Sequence, residues 1–205
     1  MFAEGIENRS IHDRFKFLLN TIASEKFLQM KGIGNEVPFF ICPFDPKEMV
    51  QIEEMTENLI IQLKHTQISA AKINLYDLSI EMLQKRKRVW DHLKLKEETI
   101  DKEALLDQFS NIFDVRNNLI PTIKEKLSET KYDLIFITGI GEVFPYIRTH
   151  IILENMESAV SDKPVVLFFP GKYEEKKDSE LSLFSKLKDN RYYRARNIYQ
   201  YGLSL

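Results

Sequence analysis

The sequence predicts an α/β fold: a doubly wound, mostly parallel sheet of four to five strands with helices on both faces. Three observations predict it. Four short apolar runs, at residues 37–44, 69–75, 132–138 and 163–169, have the length of strands and are too short for buried helices. Three of them are apolar on both faces at their centres, 39–41, 134–137 and 165–168, which marks adjacent inner strands of a covered sheet. Helical periodicity separates each run from the next, and parallel neighbours need such crossovers because a tight hairpin cannot join them. With 205 residues, 43% of them hydrophobic, the chain can fill one sizeable core, and one domain over 1–205 is expected.

Taken in order, Ser10 and Asp13 form a helix-start box, and Ile11, Phe15, Leu18, Leu19 and Ile22 follow at helical spacing. A short turn follows Ser24, and the first strand opens at Pro38. Asp45, Pro46 and Glu48 then suit an N-cap, a first helical position and the third residue beyond the cap, and Val50, Met55, Leu59 and Leu63 continue that helix. Run 69–75 repeats the unit, with Tyr76 and Asp77 leading into Leu78, Met82, Leu83 and Trp90. Leu105, Leu106, Phe109, Ile112 and Phe113 mark an amphipathic helix, and Pro121 starts another that carries Ile123 and Leu127. These belong to a helical insertion at about 84–131. Run 132–138 ends at Gly139, Ile140 and Gly141, and helical spacing resumes over about 144–156. The last apolar run is expected to stop at Pro170 and Gly171, with a mobile loop over 172–179 and a fifth strand near 195–199.

Composition excludes several classes of function. A net charge of −2 supplies no global field toward nucleic acid or an acidic membrane surface. Cys42 is the one cysteine, so no intrachain disulfide can form, and a reducing compartment, the cytoplasm, is expected. The opening residues lack the basic start and apolar stretch of a secretory signal, and no run nears the ~20 apolar residues of a membrane span.

In a parallel sheet, ligands sit beyond the carboxyl ends of the strands, which directs attention to the loops at Asp45, Asp77, Gly139 to Pro145 and Gly171. Gly139 and Gly141 lie where a phosphate loop would, between a strand and the N–H groups of a following helix. Glu142 follows where a lysine would be useful, and a third glycine is missing; a nucleotide site and a purely structural turn are both open. Arg148 and His150 could clamp an anion or titrate near neutral pH, although two residues apart on a helix they point away from each other. Asp45 and Asp77 are either helix caps or a converging acid pair. His12, His65 and His92 lack metal-ligand spacing, no serine sits in a nucleophile elbow, and Cys42 lies in an apolar strand. Neither a catalytic residue nor a metal site is expected. Lys85, Arg86, Lys87 and Arg88 form the concentrated basic run, and Arg191, Arg194 and Arg196 lie among Tyr192, Tyr193, Tyr199 and Tyr201. Direct DNA contact is one reading of these clusters, which the overall charge does not favour; a solvated helix end and a partner surface are the others.

Five segments carry a family resemblance: Gly-Asn-Glu-Val-Pro-Phe-Phe-Ile at 34–41, Ile-Asn-Leu-Tyr-Asp-Leu at 73–78, Thr-Gly-Ile-Gly-Glu-Val-Phe-Pro-Tyr-Ile-Arg-Thr-His at 138–150, Val-Val-Leu-Phe-Phe-Pro-Gly-Lys-Tyr at 165–173 and Asn-Arg-Tyr-Tyr-Arg-Ala at 190–195. In this order they resemble the BrxB family of bacterial BREX phage-defence systems. The likeness spans nearly the whole chain, with little of it in the middle helices. It implies an accessory protein that works beside a PglZ-type phosphatase-like protein, a large ATPase and a DNA methyltransferase, with no cofactor and no defined enzymatic activity. The family's motif around the glycine turn falls on Gly139, Gly141, Pro145, Tyr146, Arg148 and His150, and the motif near the last strand on Pro170, Gly171 and Tyr173. Gly139, Gly141, Arg148, His150, Gly171 and Tyr173 are therefore the candidate ligand-binding positions. Arg191, Tyr192, Tyr193, Arg194, Arg196 and Tyr199 are the candidate interface, because Tyr and Arg dominate interface hot spots. A non-catalytic module that joins defence proteins is the leading expectation. The alternative is a nucleotide-binding regulator or enzyme with its pocket at the glycine turn.

Overall fold

The structure, a computed structural model, describes residues 5–30, 38–96, 99–160, 162–175, 180–189 and 195–204. Helices α1 (Ile11–Ile22) and α2 (Glu25–Leu28) precede the first strand, β1 (Phe39–Phe44), which is followed by α3 (Met49–His65) and β2 (Ala70–Asn74). Helices α4 (Leu75–Lys85), α5 (Lys87–Lys96), α6 (Lys102–Ile112) and α7 (Ile120–Ser128) lead to β3 (Leu134–Thr138), and α8 (Thr149–Met156) leads to β4 (Val165–Glu174). Strands β5 (Glu180–Leu183), β6 (Leu187–Asp189) and β7 (Arg196–Asn197) and helix α9 (Ile198–Leu203) complete the order.

Strands β2, β3, β4, β1 and β7 lie side by side in that sequence, and every pairing along the path is parallel. The three runs apolar on both faces are the inner strands β3, β4 and β1, as expected from their composition. Alternation along them builds two cores. Phe40, Cys42, Phe136 and Phe168 face α1, α3 and α9, whereas Phe39, Ile41, Ile137 and Leu167 face α4, α7 and α8. On the first side, Phe136 and Phe168 meet edge to face with ring centroids 5.4 Å apart. The short strand β7 pairs with β1 and supplies the expected fifth strand.

Several boundaries differ from the sequence expectation, each for a local reason. Ser10 caps α1 as expected, its Oγ accepting from the Asp13 N–H at 3.2 Å. Asp45 accepts from the Lys47 N–H at 2.9 Å, yet the turn it caps is a 3-10 turn over Pro46–Glu48, and α3 begins at Met49. Val50 consequently points to solvent at 73% exposure, and the buried face of α3 is Ile52, Met55, Thr56, Leu59 and Leu63. Helical backbone does not resume at residue 144. The residue before a proline avoids helical geometry, and Ile140, Val143 and Ile147 enter the core from a series of turns, so α8 starts only at Thr149.

The largest difference lies at the end of β4. Pro170 and Gly171 do not stop the strand, because from Gly171 onward it leaves the parallel sheet and pairs antiparallel with β5, which pairs in turn with β6. Residues 172–174 are therefore strand rather than loop, Glu175 follows outside any strand or helix, and 176–179 of the expected loop lie outside the described residues. Glycine permits the change of partner. A Cβ at Gly171 would collide with the Ser182 carbonyl oxygen and lie 3.1 Å from the Phe184 nitrogen.

Candidate functional site

The carboxyl end of β1 lies beside the point at which β4 leaves the parallel sheet, with Phe44 in register with Pro170. A cavity of about 330 Å³ opens there, with Pro43, Phe44 and Asp45 on one side and Gly171, Lys172 and Tyr173 on the other. Two of the four loops singled out by strand topology, those at Asp45 and Gly171, thus meet at one opening. Among the described residues the charged part of its wall is acidic: Glu7, Asp45 and Glu174 line it with Lys172, three carboxylates to one ammonium, a balance that disfavours a phosphate ligand. Tyr173 is buried, and its hydroxyl donates to the Ala195 carbonyl at 2.6 Å. Asn197 accepts from the Tyr199 N–H at 3.0 Å as the cap of α9 and donates to the Tyr173 carbonyl at 3.4 Å. These two polar side chains fasten β7 to the extended end of β4.

The glycine turn is filled by the chain itself. Gly139 adopts φ 76°, a left-handed conformation that favours glycine. A Cβ there would collide with Asn74 Oδ1 and lie 2.9 Å from the Tyr76 nitrogen. Asn74 Oδ1 already accepts from the N–H groups of Tyr76 and Asp77, at 2.9 and 3.2 Å, so the helix start nearest the turn is capped from within. A Cβ at Gly141 would lie 3.0 Å from both Phe184 and Pro170. The space left beside Thr138 and Gly139 is about 20 Å³, room for about one water.

Beyond the turn, Arg148 and His150 do not share a helix, because Arg148 is extended and α8 starts after it. Arg148 is exposed and His150 is buried. Both border a second cleft, of about 210 Å³, whose walls are Phe144, Phe169, Leu181, Leu183 and Leu187.

The remaining candidates take structural places. Asp45 caps its 3-10 turn, but α4 is capped by Asn74 and not by Asp77, which stands exposed in the first helical turn. These two aspartates follow strands separated by β3 and β4, three strand spacings or about 14 Å, so they do not form an acid pair. His12, His65 and His92 are exposed, and among the described residues no group of three or more His, Cys, Asp or Glu is placed to hold a metal ion. Lys85, Arg86, Lys87 and Arg88 are exposed at the break between α4 and α5.

Of the interface candidates, Arg191, Tyr192, Tyr193 and Arg194 lie outside the described residues. Arg196 is partly exposed, 3.6 Å from the Glu175 carboxylate and over the Tyr201 ring. Tyr199 is fully buried and closes the core, so it presents no surface to a partner. Its hydroxyl accepts from the Cys42 thiol at 3.4 Å. Burial pushes that thiol up to about 12, which keeps it neutral and unreactive near neutral pH. Arg14, 1% exposed, completes this buried group, its guanidinium 2.6 Å from a Glu48 carboxylate oxygen. The sequence carried a signal for it: Arg14 stands three residues after Ile11 and four before Leu18, within the apolar stripe of α1.

A model of the BrxB family, described as BREX protein BrxB, matches residues 71–198, more than half of the chain. The chain belongs to the BrxB family. The matched region runs from β2 to the first residue of α9, so the glycine turn, the apolar cleft and the β4 extension all fall within the part that defines the family. A BREX protein BrxB of Bacillus cereus (strain H3081.97) is 31% identical over 191 residues, 91% of this chain and 96% of the relative. A second, from Escherichia coli O9:H4 (strain HS), is 24% identical over 182 residues, 89% of this chain and 88% of the relative. No solved structure matches the chain.

Proposed function

We propose that this chain is a non-catalytic interaction component of a BREX-type bacteriophage-defence system, joining other defence proteins, a PglZ-type phosphatase-like protein first among them. The observation that carries this reading is the glycine turn. Where an α/β protein of this topology would bind a cofactor phosphate, the chain packs its own cap, proline and phenylalanine, and around the neighbouring cavity the described charged side chains are three carboxylates to one ammonium. Membership of the BrxB family supplies the setting. A domain of this kind contributes surface rather than chemistry. The ATPase and methyltransferase of such a system are further candidate partners, and the cytoplasm is the compartment in which they would meet.

Co-expression with the PglZ-type protein of the same system, followed by size-exclusion chromatography, tests the proposal. One co-eluting species at micromolar concentration is expected. Separate elution of two folded proteins would remove the partner assignment. Thermal unfolding with and without ATP and magnesium should coincide, since a ligand bound only to the native state raises the midpoint. A clear rise would favour the nucleotide-regulator reading.

A further inference from the structure

The apolar cleft between the start of α8 and the β5–β6 hairpin has features that the packing of this chain alone does not use. Its walls are five large apolar side chains, and its volume of about 210 Å³ falls below the ~300–1,000 Å³ of cofactor and small-molecule pockets. That is space for a single large side chain. Leu187 stands at the rim with 46% of its surface exposed, a cost in water that an occupant of the cleft would remove.

Charge tells what accompanies the apolar group. Lys188, also on the rim, is neutralised by Glu180 at 2.8 Å. Arg148 is exposed and forms no ion pair among the described residues. It stands at the N-terminal end of α8, where no acidic residue occupies the first turn and no side chain caps the helix, so the positive end of the helix adds to the guanidinium. A guanidinium on the residue before a helix start that no side chain caps is complementary to a carboxylate. The backbone beside it suits an extended ligand, because among the described residues β6 pairs only with β5 and no strand lies on its other edge.

We propose that this cleft docks an extended peptide segment of a partner protein, taking one apolar side chain between Phe144, Leu183 and Leu187 while Arg148 holds an adjacent carboxylate. The inference rests on the reading of the chain as an interaction component. It adds the site and the chemistry of the segment recognised.

The test is a screen of the full chain against a display library of random heptapeptides, followed by solution titration of the best binder. Enriched peptides should carry Leu, Ile or Phe beside Asp or Glu. Leu187→Asp should weaken the best binder at least about tenfold, and Arg148→Glu should invert the preference from acidic to basic neighbours. Both side chains are exposed, so both variants should keep the parental melting temperature. Enrichment without an acidic residue, or binding indifferent to both substitutions, would overturn the proposal. Equal competition by octanoate would do the same by assigning the cleft to a small amphiphile, and a concentration-dependent dimer broken by Leu187→Asp would assign it to a second copy. If the PglZ-type protein co-elutes with both variants while no peptide motif emerges, this site fails and the function stands. A motif that responds to both substitutions without co-elution leaves the site intact and removes that partner.

Discussion

The glycine turn after β3 and the Pro170–Gly171 step in β4 resemble each other in sequence, since each follows an apolar strand and each looks like its end. Their structures diverge. After β3 the strand stops, and the turn is sealed by Asn74 at the end of β2 and by Phe184 from the hairpin. In β4 the glycine is a crossing point at which one strand leaves the parallel sheet and joins an antiparallel one. What the two share is close approach, because in both places the missing Cβ admits another part of the same chain rather than a ligand. A glycine in a loop at the functional end of a sheet thus reports that something comes near, and only the surroundings tell what.

The sharpest way to break this comparison is to fill the space. Gly139→Ala combines left-handed strain with collision against backbone and should cost about 2–4 kcal/mol. Gly171→Ala collides with the Ser182 carbonyl and should cost about 1–3 kcal/mol, with the loss concentrated in the hairpin. At Gly141 the obstructing atoms belong to the side chains of Phe184 and Pro170, which can shift, so Ala there should cost no more than about 1 kcal/mol. Urea denaturation of the three variants gives the order. Should Gly139→Ala melt like the parent protein and yet lose phage protection, the turn would be a binding site after all.

A smaller effect separates buried chemistry from open surface. The Cys42 thiol sits at about 12 in the folded protein, with burial as the main cause, against ~8.5 in an unfolded chain. A raised acid stabilises the fold fully below the unfolded value. That contribution declines as pH climbs from about 8.5 toward 12, at up to ~1.4 kcal/mol per pH unit, because the unfolded chain then loses the proton that the folded chain keeps. Subtracting the stability profile of Cys42→Ala from that of the parent protein between pH 8 and 10.5 isolates this term. A flat difference would show that the thiol is less buried than the structure has it.

Much of this architecture was legible in the sequence because the inner strands are apolar on both faces and each is followed by recognisable helix signals. The inner placement of β3, β4 and β1 as neighbours and their parallel pairing follow from that pattern, whereas their order is seen only in the structure. What sequence alone did not disclose was where strands change partners. The stretch 172–174 alternates Lys, Tyr and Glu and reads as polar loop, yet it pairs antiparallel with β5, and its one buried side chain, Tyr173, donates to the Ala195 carbonyl. Tyr199 misled in the opposite sense. Beside arginines and tyrosines it looked like part of an interface, but the Cys42 thiol and Arg14 give its hydroxyl a buried polar setting that only the fold assembles. The apolar cleft was hidden for the same reason, since Phe144, Phe169, Leu183 and Leu187 come from three separate stretches.

The finest distinction is between two side chains at the start of α4. By sequence Asp77 was the residue of interest there. By geometry Asn74 has the larger part, because its Oδ1 accepts from two N–H groups and also packs against the glycine turn, whereas Asp77 stands exposed with only its charge near the helix start. Asn74→Ala should therefore cost about 1 kcal/mol, within the range for losing an N-cap, and Asp77→Ala a few tenths, within the range for one exposed charge at a helix start. Salt tells the two apart further: 0.5 M NaCl should abolish the Asp77 effect and leave the Asn74 effect, since screening weakens an exposed charge and not a neutral hydrogen bond. Equal losses at low salt that both vanish at high salt would mean that charge, not the cap, holds this helix start and the turn it seals.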